Sequence, residues 1–174
     1  DLHRGRLVAS PWLRDGTLRR ILPSTIEVQV TERAPVALAR LGERLYLVDD
    51  DGTVIDEYGP RFARFDLPIV EGLAIPGPDG RAVDRSRMAL ATRLLSQLSE
   101  RPDVLDSISE IDVTDPYDAV VLLNDDWVLL HLGGDHFLKR LRSYAELGPT
   151  LRERVPNIDY VDLRFDQRVY VGPA

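Results

Sequence analysis

Three predicted strands separated by short turns constrain the fold of this chain more than any other feature of its sequence. The strands cover the runs 108–113, 119–123 and 127–132, and the turns are Asp115-Pro116 and Asn124-Asp125-Asp126. Connections this short join neighbouring antiparallel strands. The middle run is apolar at every position, which is typical of a central strand that is buried on both faces. The sequence therefore predicts a meander inside a mainly antiparallel sheet.

Further strands are indicated by alternation and by turn residues. Residues 25–31 alternate apolar and polar side chains, which predicts a half-buried strand, and a second strand is predicted over residues 36–41. Asp15-Gly16 is interpreted as a turn before them. Asp51-Gly52 separates the apolar runs 45–48 and 53–55, which indicates a β-hairpin because Asp-Gly suits a tight turn.

Two helices complete the predicted fold. The first spans about residues 83–99 and ends before Pro102. The second is predicted to be capped by Asp135, to bury Phe137, Leu141 and Tyr144, and to be interrupted at Gly148-Pro149. Short strands are predicted at 68–70, 158–165 and 168–171. The fold class is α+β, with the C-terminal strand at an open edge because the printed sequence ends soon after it.

Composition excludes several classes of function. The formal net charge of −7 argues against a nucleic-acid-binding protein, which needs a basic surface. The absence of cysteine excludes disulfides and thiolate metal sites. No apolar run reaches the roughly 18–20 residues that span a bilayer. The polar opening Asp1-Leu2-His3-Arg4 is typical of the middle of a protein, so we expect further residues to precede it.

The motifs of common catalytic, metal and cofactor sites are missing from the sequence. His3, His131 and His136 lack the spacing of a zinc site. The run Asp49-Asp50-Asp51-Gly52 has the wrong register for a calcium loop and is interpreted as a hairpin turn. There is no Gly-x-Ser-x-Gly elbow, and pairs such as Glu110 with Asp112 fit a solvated strand face. We therefore expect no catalytic, cofactor-binding or metal-binding residues, and a binding protein rather than an enzyme.

Two stretches carry a family resemblance. The first contains Ser10-Pro11-Trp12-Leu13, the turn Arg20-Ile21-Leu22-Pro23 and the strand Thr31-Glu32-Arg33-Ala34-Pro35-Val36-Ala37. The second contains Phe137-Leu138-Lys139-Arg140-Leu141 and Tyr160-Val161-Asp162-Leu163-Arg164-Phe165. The first resembles the second half of the POTRA domain of the FtsQ/DivIB family of bacterial cell-division proteins. The second is similar to the C-terminal helix and strand of that family.

The resemblance implies a domain organisation and a cellular setting. Residues 1–42 would be the C-terminal part of a POTRA domain of order β-α-α-β-β, whose first strand and helix are missing, and residues 43–174 a β domain. The family crosses the inner membrane once, through an N-terminal helix that this sequence lacks, and places the rest in the periplasm at the division septum. Its role is that of a non-enzymatic scaffold that binds FtsB, itself paired with FtsL. The exposed strand around residues 25–33 offers a contact for a further division protein.

The predicted partner site lies on the last two strands. If Asp166-Gln167 is a two-residue turn, Phe165 lies opposite Arg168 and Asp162 opposite Val171, so Val161, Leu163, Phe165 and Tyr170 share the face that packs on the second helix. A partner strand would pair with the open edge, and Arg140 and Arg164 would pair with its acidic residues. Resemblance and edge together give the following predicted contacts: Arg140, Arg164, Phe165, Gln167, Arg168, Val169, Tyr170 and Val171. Arg168 departs from the small residue or glycine that many family members have after this turn.

Two other classes of protein remain as alternatives. POTRA domains also occur in outer-membrane assembly and secretion proteins, and a neighbouring barrel sequence would favour that class. A convergent polar cleft would favour an enzyme.

Overall fold

The chain forms a two-stranded hairpin and a large mixed sheet backed by helices. The computed structural model describes residues 10–75, 82–155, 157–165 and 168–173. The strands are β1 (Leu13–Ile21), β2 (Thr25–Glu32), β3 (Ala37–Leu41), β4 (Arg44–Val48), β5 (Val54–Glu57), β6 (Ile69–Glu71), β7 (Ile108–Asp115), β8 (Asp118–Leu123), β9 (Leu129–His131), β10 (Ile158–Asp162) and β11 (Tyr170–Pro173). The helices are α1 (Arg85–Leu98), α2 (Pro102–Leu105) and α3 (Phe137–Arg154). The α+β class is confirmed.

The hairpin of β1 and β2 stands apart from the large sheet in its pairing. Leu18 lies opposite Val28 and Ile21 opposite Thr25. Asp15-Gly16 is not the predicted turn, because it lies inside β1 next to a bulge at which the Asp15 carboxylate accepts the Gly16 N–H. The strand predicted at 25–31 is confirmed, but no position of β2 is buried. Leu2, Leu7 and Val8 at helical spacing predict the end of a helix that Ser10-Pro11 terminates, but residues 1–9 lie outside the described part of the chain.

The large sheet has the strand order β11-β10-β9-β8-β7-β6-β3-β4-β5. The predicted hairpin is confirmed as the antiparallel pair β4–β5, and the predicted meander as β7–β8–β9. Parallel pairs join β3 to β6, β6 to β7 and β9 to β10. The sheet is therefore mixed, since it contains both parallel and antiparallel pairs. The parallel pairs join segments that are distant in sequence.

Strand β3 belongs to the large sheet. It is hydrogen-bonded antiparallel to β4 and parallel to β6. The predicted domain boundary after residue 42 would separate β3 from β4 and β6, its partners in this sheet. We therefore propose a boundary between β2 and β3, in the segment from Arg33 to Val36.

Helices α1 and α3 line the core on one face of the sheet. The Asp84 carboxylate caps α1 by accepting the N–H groups of Ser86 and Arg87 at 2.8 and 3.0 Å. Helix α1 ends at Leu98, before Pro102. Pro102 begins the short α2, at a position where a helix needs no N–H donor. The predicted break at Gly148-Pro149 is wrong, because α3 continues through it as an 18-residue helix. Each of α1 and α3 buries an apolar stripe in the same core cluster.

The start of α3 also differs from the prediction. Asp135 is not the capping residue; His136 holds that position in the left-handed conformation, with φ of 60°. The Asp135 carboxylate accepts the His136 N–H at 2.7 Å and an amide N–H of Gln97 at 2.8 Å. Asp135 therefore ties the first turn of α3 to α1.

A second, smaller cluster covers the other face of the sheet near β5. It is built on Leu38, Leu47 and Ile55, and Trp12 packs against it. The Trp12 ring lies 5.4 Å from that of Phe62, which belongs to a 3₁₀ turn over Pro60–Phe62. No helix in the described ranges is long and apolar enough to span a bilayer.

Candidate protein-docking edge

The ribbon of β10 and β11 forms one end of the large sheet. β10 pairs in parallel with β9 on one side and antiparallel with β11 on the other. Among the described residues, β11 has a hydrogen-bonded neighbour on one side only. The expected open edge is therefore present, and it consists of main-chain groups that can pair with another strand.

The register of this ribbon differs by one residue from the prediction. Asp162 lies opposite Tyr170 and Val161 opposite Val171, whereas a simple two-residue hairpin would place Asp162 opposite Val171. The Arg168 N–H donates to the Phe165 carbonyl at 3.4 Å, and Asp166 and Gln167 come between these two residues in the sequence. Both of those residues, including the predicted contact Gln167, lie outside the described residues.

A longer connection accounts for the shifted register. The ladder ends at the pair of Asp162 and Tyr170, so residues 163–169 connect the two strands in place of a two-residue hairpin. The Arg164 N–H donates to the Asp162 carboxylate at 3.0 Å, just beyond the end of β10. The signal for a two-residue turn alone could not reveal this longer connection.

The shift moves Tyr170 away from the predicted core face, because a one-residue slip of β11 exchanges the two faces of that strand. Phe165 and Tyr170 were expected to pack on α3, but they are 51% and 47% exposed and contact each other at 5.2 Å between ring centroids. Val169 and Val171 pack against the core instead, while Val161 and Leu163 are buried as predicted.

The direction of the main-chain groups follows from one hydrogen bond. The Leu163 N–H donates to the His131 carbonyl at 3.0 Å, so odd-numbered residues of β10 face β9. Since successive residues of a strand point their N–H and C=O groups to opposite sides, Asp162 faces β11 and its partner Tyr170 faces back. Val171 therefore directs its N–H and C=O toward the open edge.

Arg140 is held by internal contacts. Its guanidinium donates to the carbonyls of Leu132, Asp135 and Arg164, the last at 3.0 Å. Because these bonds use both terminal nitrogens, the side chain joins the start of α3 to the ends of β9 and β10. Arg168, by contrast, is exposed beside the edge.

Arg164 is the centre of an ionic cluster. It binds Asp162 through two nitrogens at 3.0 and 2.7 Å and Asp118 at 3.1 Å. The bond to Asp162, followed by the charge of Asp118, raises the pKa of Arg164. Burial alone would raise the pKa of Asp162, but the hydrogen bonds from Arg164 outweigh burial and lower it.

Asp118 is the residue of this cluster that sequence reasoning missed. It is 6% exposed and accepts the Gly133 N–H at 2.8 Å, while its other oxygen lies 2.8 Å from His131 Nδ1. A signal was available, because Asp118 opens an otherwise apolar strand and a buried charge needs partners.

Tyr160 and Gly172 form a close contact across the ribbon. They are register partners, and a methyl group added at Gly172 would overlap the Tyr160 ring. The ring also meets His131 edge-on at 5.5 Å. Glycine is thus needed here because an aromatic ring crosses the edge strand.

The acidic run before β5 adopts the predicted hairpin turn. The carboxylates of Asp49, Asp50 and Asp51 offer ligand atoms within 4.8 Å of one another. Arg33 pairs with Asp49, and Arg14 with Asp50 and Asp51, so one arginine of β1 and one directly after β2 compensate these charges. The cluster joins the hairpin to the large sheet.

Comparison with known proteins assigns the family. Residues 37–164 match the family described as "Cell division protein FtsQ/DivIB, C-terminal". The chain belongs to this family. The FtsQ/DivIB assignment confirms the resemblance and places the chain among cell-division proteins rather than outer-membrane assembly or secretion proteins.

Individual relatives agree with the family. The chain is 34% identical over 176 residues to a cell division protein FtsQ of Koribacter versatilis, covering 99% of this chain and 50% of that protein. It is 38% identical over 150 residues to one of Anaeromyxobacter, covering 84% and 50%. The chain therefore spans about half the length of these relatives. A solved extracytoplasmic domain of DivIB from Geobacillus stearothermophilus shares 19% identity, with a TM-score of 0.42 over 72% of this chain and 98% of that one.

Proposed function

We propose that this chain is the extracytoplasmic part of a non-enzymatic division scaffold, which binds FtsB, paired with FtsL, by strand addition along β11. The observation that carries the proposal is the outward direction of the Val171 N–H and C=O at a sheet edge. The protein is proposed to sit at the septum, anchored in the inner membrane by a preceding helix.

Main-chain pairing sets the base affinity of such a contact. Each hydrogen bond contributes about 0.5–1.5 kcal/mol net, so the short β11 supplies a weak interaction by itself. Exposed side chains beside the edge supply the remainder, namely Phe165, Arg168 and Tyr170. The half-buried Val169 and Val171 keep the edge packed on the core.

The roles of Arg140 and Arg164 have two explanations. The Arg164 side chain is 41% exposed and can reach an acidic residue of a partner. Both arginines also hold the ribbon through the contacts described above. The ion pair with FtsB therefore stays a prediction that competes with a role inside the fold.

Val171→Pro tests strand addition directly. Proline removes the outward N–H and places a ring where the added strand must pass, while the bonds from β11 to β10 remain. We expect affinity for the extracytoplasmic segment of FtsB, measured by calorimetry, to fall about tenfold or more.

Two matched variants serve as controls. Val171→Ala shortens the same side chain but keeps the N–H, and Glu57→Pro removes an outward N–H at the opposite edge of the sheet. Both are expected to bind within about twofold of the unmodified protein. Unchanged affinity of a folded Val171→Pro protein would refute docking at β11.

A further inference from the structure

We infer that Asp118 is the positioning residue of the docking edge: it fixes the ribbon of β10 and β11 through Arg164, so that Arg164 and Arg140 act inside the fold. The consequence for partner binding rests on the proposed function. The positioning itself is a property of the free chain.

Asp118 gathers three elements on one buried carboxylate. It lies at the start of β8 and accepts the Gly133 N–H, next to the start of α3. It also binds His131 on β9 and Arg164 just beyond β10. A buried carboxylate is costly unless such partners compensate it, so these contacts are held together as one unit.

Arg164 transmits this constraint to the end of β10. Its guanidinium is fixed between Asp118 and Asp162, and its carbonyl accepts a bond from Arg140. Both the side chain and the main chain of Arg164 are thereby fixed where the chain leaves β10 toward β11, and the register reached from this point sets which residues of β11 face outward.

Glycine at position 133 makes room for the two arginines. A Cβ there would lie 2.9 Å from an Arg140 nitrogen and 3.3 Å from the Arg164 Cγ, and the glycine has a φ of +68°. The two side chains thus converge over one point of the β9–α3 joint. This packing is expected of a structural clamp, because a side chain kept free for a partner needs no such fit.

A direct ion pair with the partner makes a different prediction from positioning. If Arg164 contacted an acidic residue of the partner independently of Asp118, the losses in affinity for Asp118→Asn and Arg164→Gln would multiply in the double variant. If Arg164 acts through Asp118, the double variant would lose little more than the worse single variant, since coupled residues are not additive.

The first experiment uses the free chain and no partner. Amide hydrogen exchange is measured for Tyr170 and Gly172, which face β10, in Asp118→Asn. We expect at least tenfold faster exchange at these amides and unchanged protection at Ile111 in the buried β7. Asp159→Asn, at an exposed position of β10, is the matched control and should exchange as the unmodified chain does.

The second experiment measures binding of the FtsB extracytoplasmic segment to both single variants and the double variant. Wild-type exchange in Asp118→Asn, or multiplicative losses in the double variant, would overturn the inference. If Asp118→Asn does not fold, the same amides in Arg164→Gln decide. Faster exchange in Asp118→Asn together with unchanged affinity of Val171→Pro for the FtsB segment would support the positioning role and refute docking at β11.

Discussion

The two edges of the large sheet are built from the same kind of strand but are finished differently. At the β5 edge the Glu57 N–H is accepted by the Asp56 carboxylate at 2.9 Å, and Arg44 binds the Glu57 side chain through two contacts of 2.9 and 3.2 Å. At the β11 edge, no side chain within the described ranges accepts the Val171 N–H. One edge is thus blocked by its own side chains, and the other is left available.

Each edge is also organised by one buried aspartate. Asp49, 1% exposed, accepts the N–H groups of Asp51 and Thr53 and pairs with Arg33, which fixes the turn into β5. Asp118 has the corresponding place beside β10. A buried carboxylate thus stabilises both the blocked β5 edge and the open β11 edge. The neighbouring side chains decide whether the edge stays open.

The largest expected effect comes from Asp49→Ala. This change leaves Arg33 partly buried without its main partner, so we expect the free energy of unfolding to fall by about 3–5 kcal/mol in urea denaturation. Asp50→Ala, at an exposed neighbour, should change it by about 0.5 kcal/mol or less. If the edges are independent, folded Asp49→Ala still binds FtsB normally; a matching loss of affinity would show that they are coupled.

A smaller effect is expected from Gly172→Ala. The added methyl group displaces the Tyr160 ring, which should cost about 1–3 kcal/mol in the same assay. The double variant with Tyr160→Ala should recover much of this loss. Gly59→Ala, close to the opposite edge and with open space around it, is the control. Equal losses at the two glycines would contradict the close contact at the β11 edge.

The smallest effect concerns Tyr144 on α3, behind the β11 half of the sheet. Burial, followed by the hydrogen bond to Asp126, raises the pKa of Tyr144 from 10.0 to about 12. Because the folded value is the higher one, this contribution to stability is complete below pH 10 and is lost as the pH rises through about 12. Absorbance at 295 nm should show a phenol titrating there, and Tyr144→Phe should remove that step. Its persistence would assign it to another tyrosine.

Local patterns predicted the antiparallel parts of the fold. The meander and the β4–β5 hairpin were readable because short turns with Asp, Asn and Gly leave few other arrangements. The parallel pairs β3–β6 and β9–β10 were not, since they depend on which distant segments meet. For that reason β3 was grouped with the hairpin before it rather than with the large sheet.

The candidate site was predictable in position but not in detail. The edge itself followed from the pattern of the last strands. The predicted register was wrong because residues 163–169 connect β10 and β11 in place of the two-residue turn that the sequence suggests. The charges of Arg140 and Arg164 were visible, but their internal partners were not. Most of those partners are main-chain carbonyls and a carboxylate far away in sequence.

The position of β11 at the end of the strand order has a consequence for assembly of the molecule. Among the described residues, β11 is hydrogen-bonded into the sheet through β10, and β10 reaches β9 only after the chain has passed through the whole of α3. The proposed docking surface therefore forms only once β9, α3 and β10 are in place, and as the end of the sheet it is expected to open early when the sheet frays. A partner that recognises this surface would select finished molecules over incompletely folded ones.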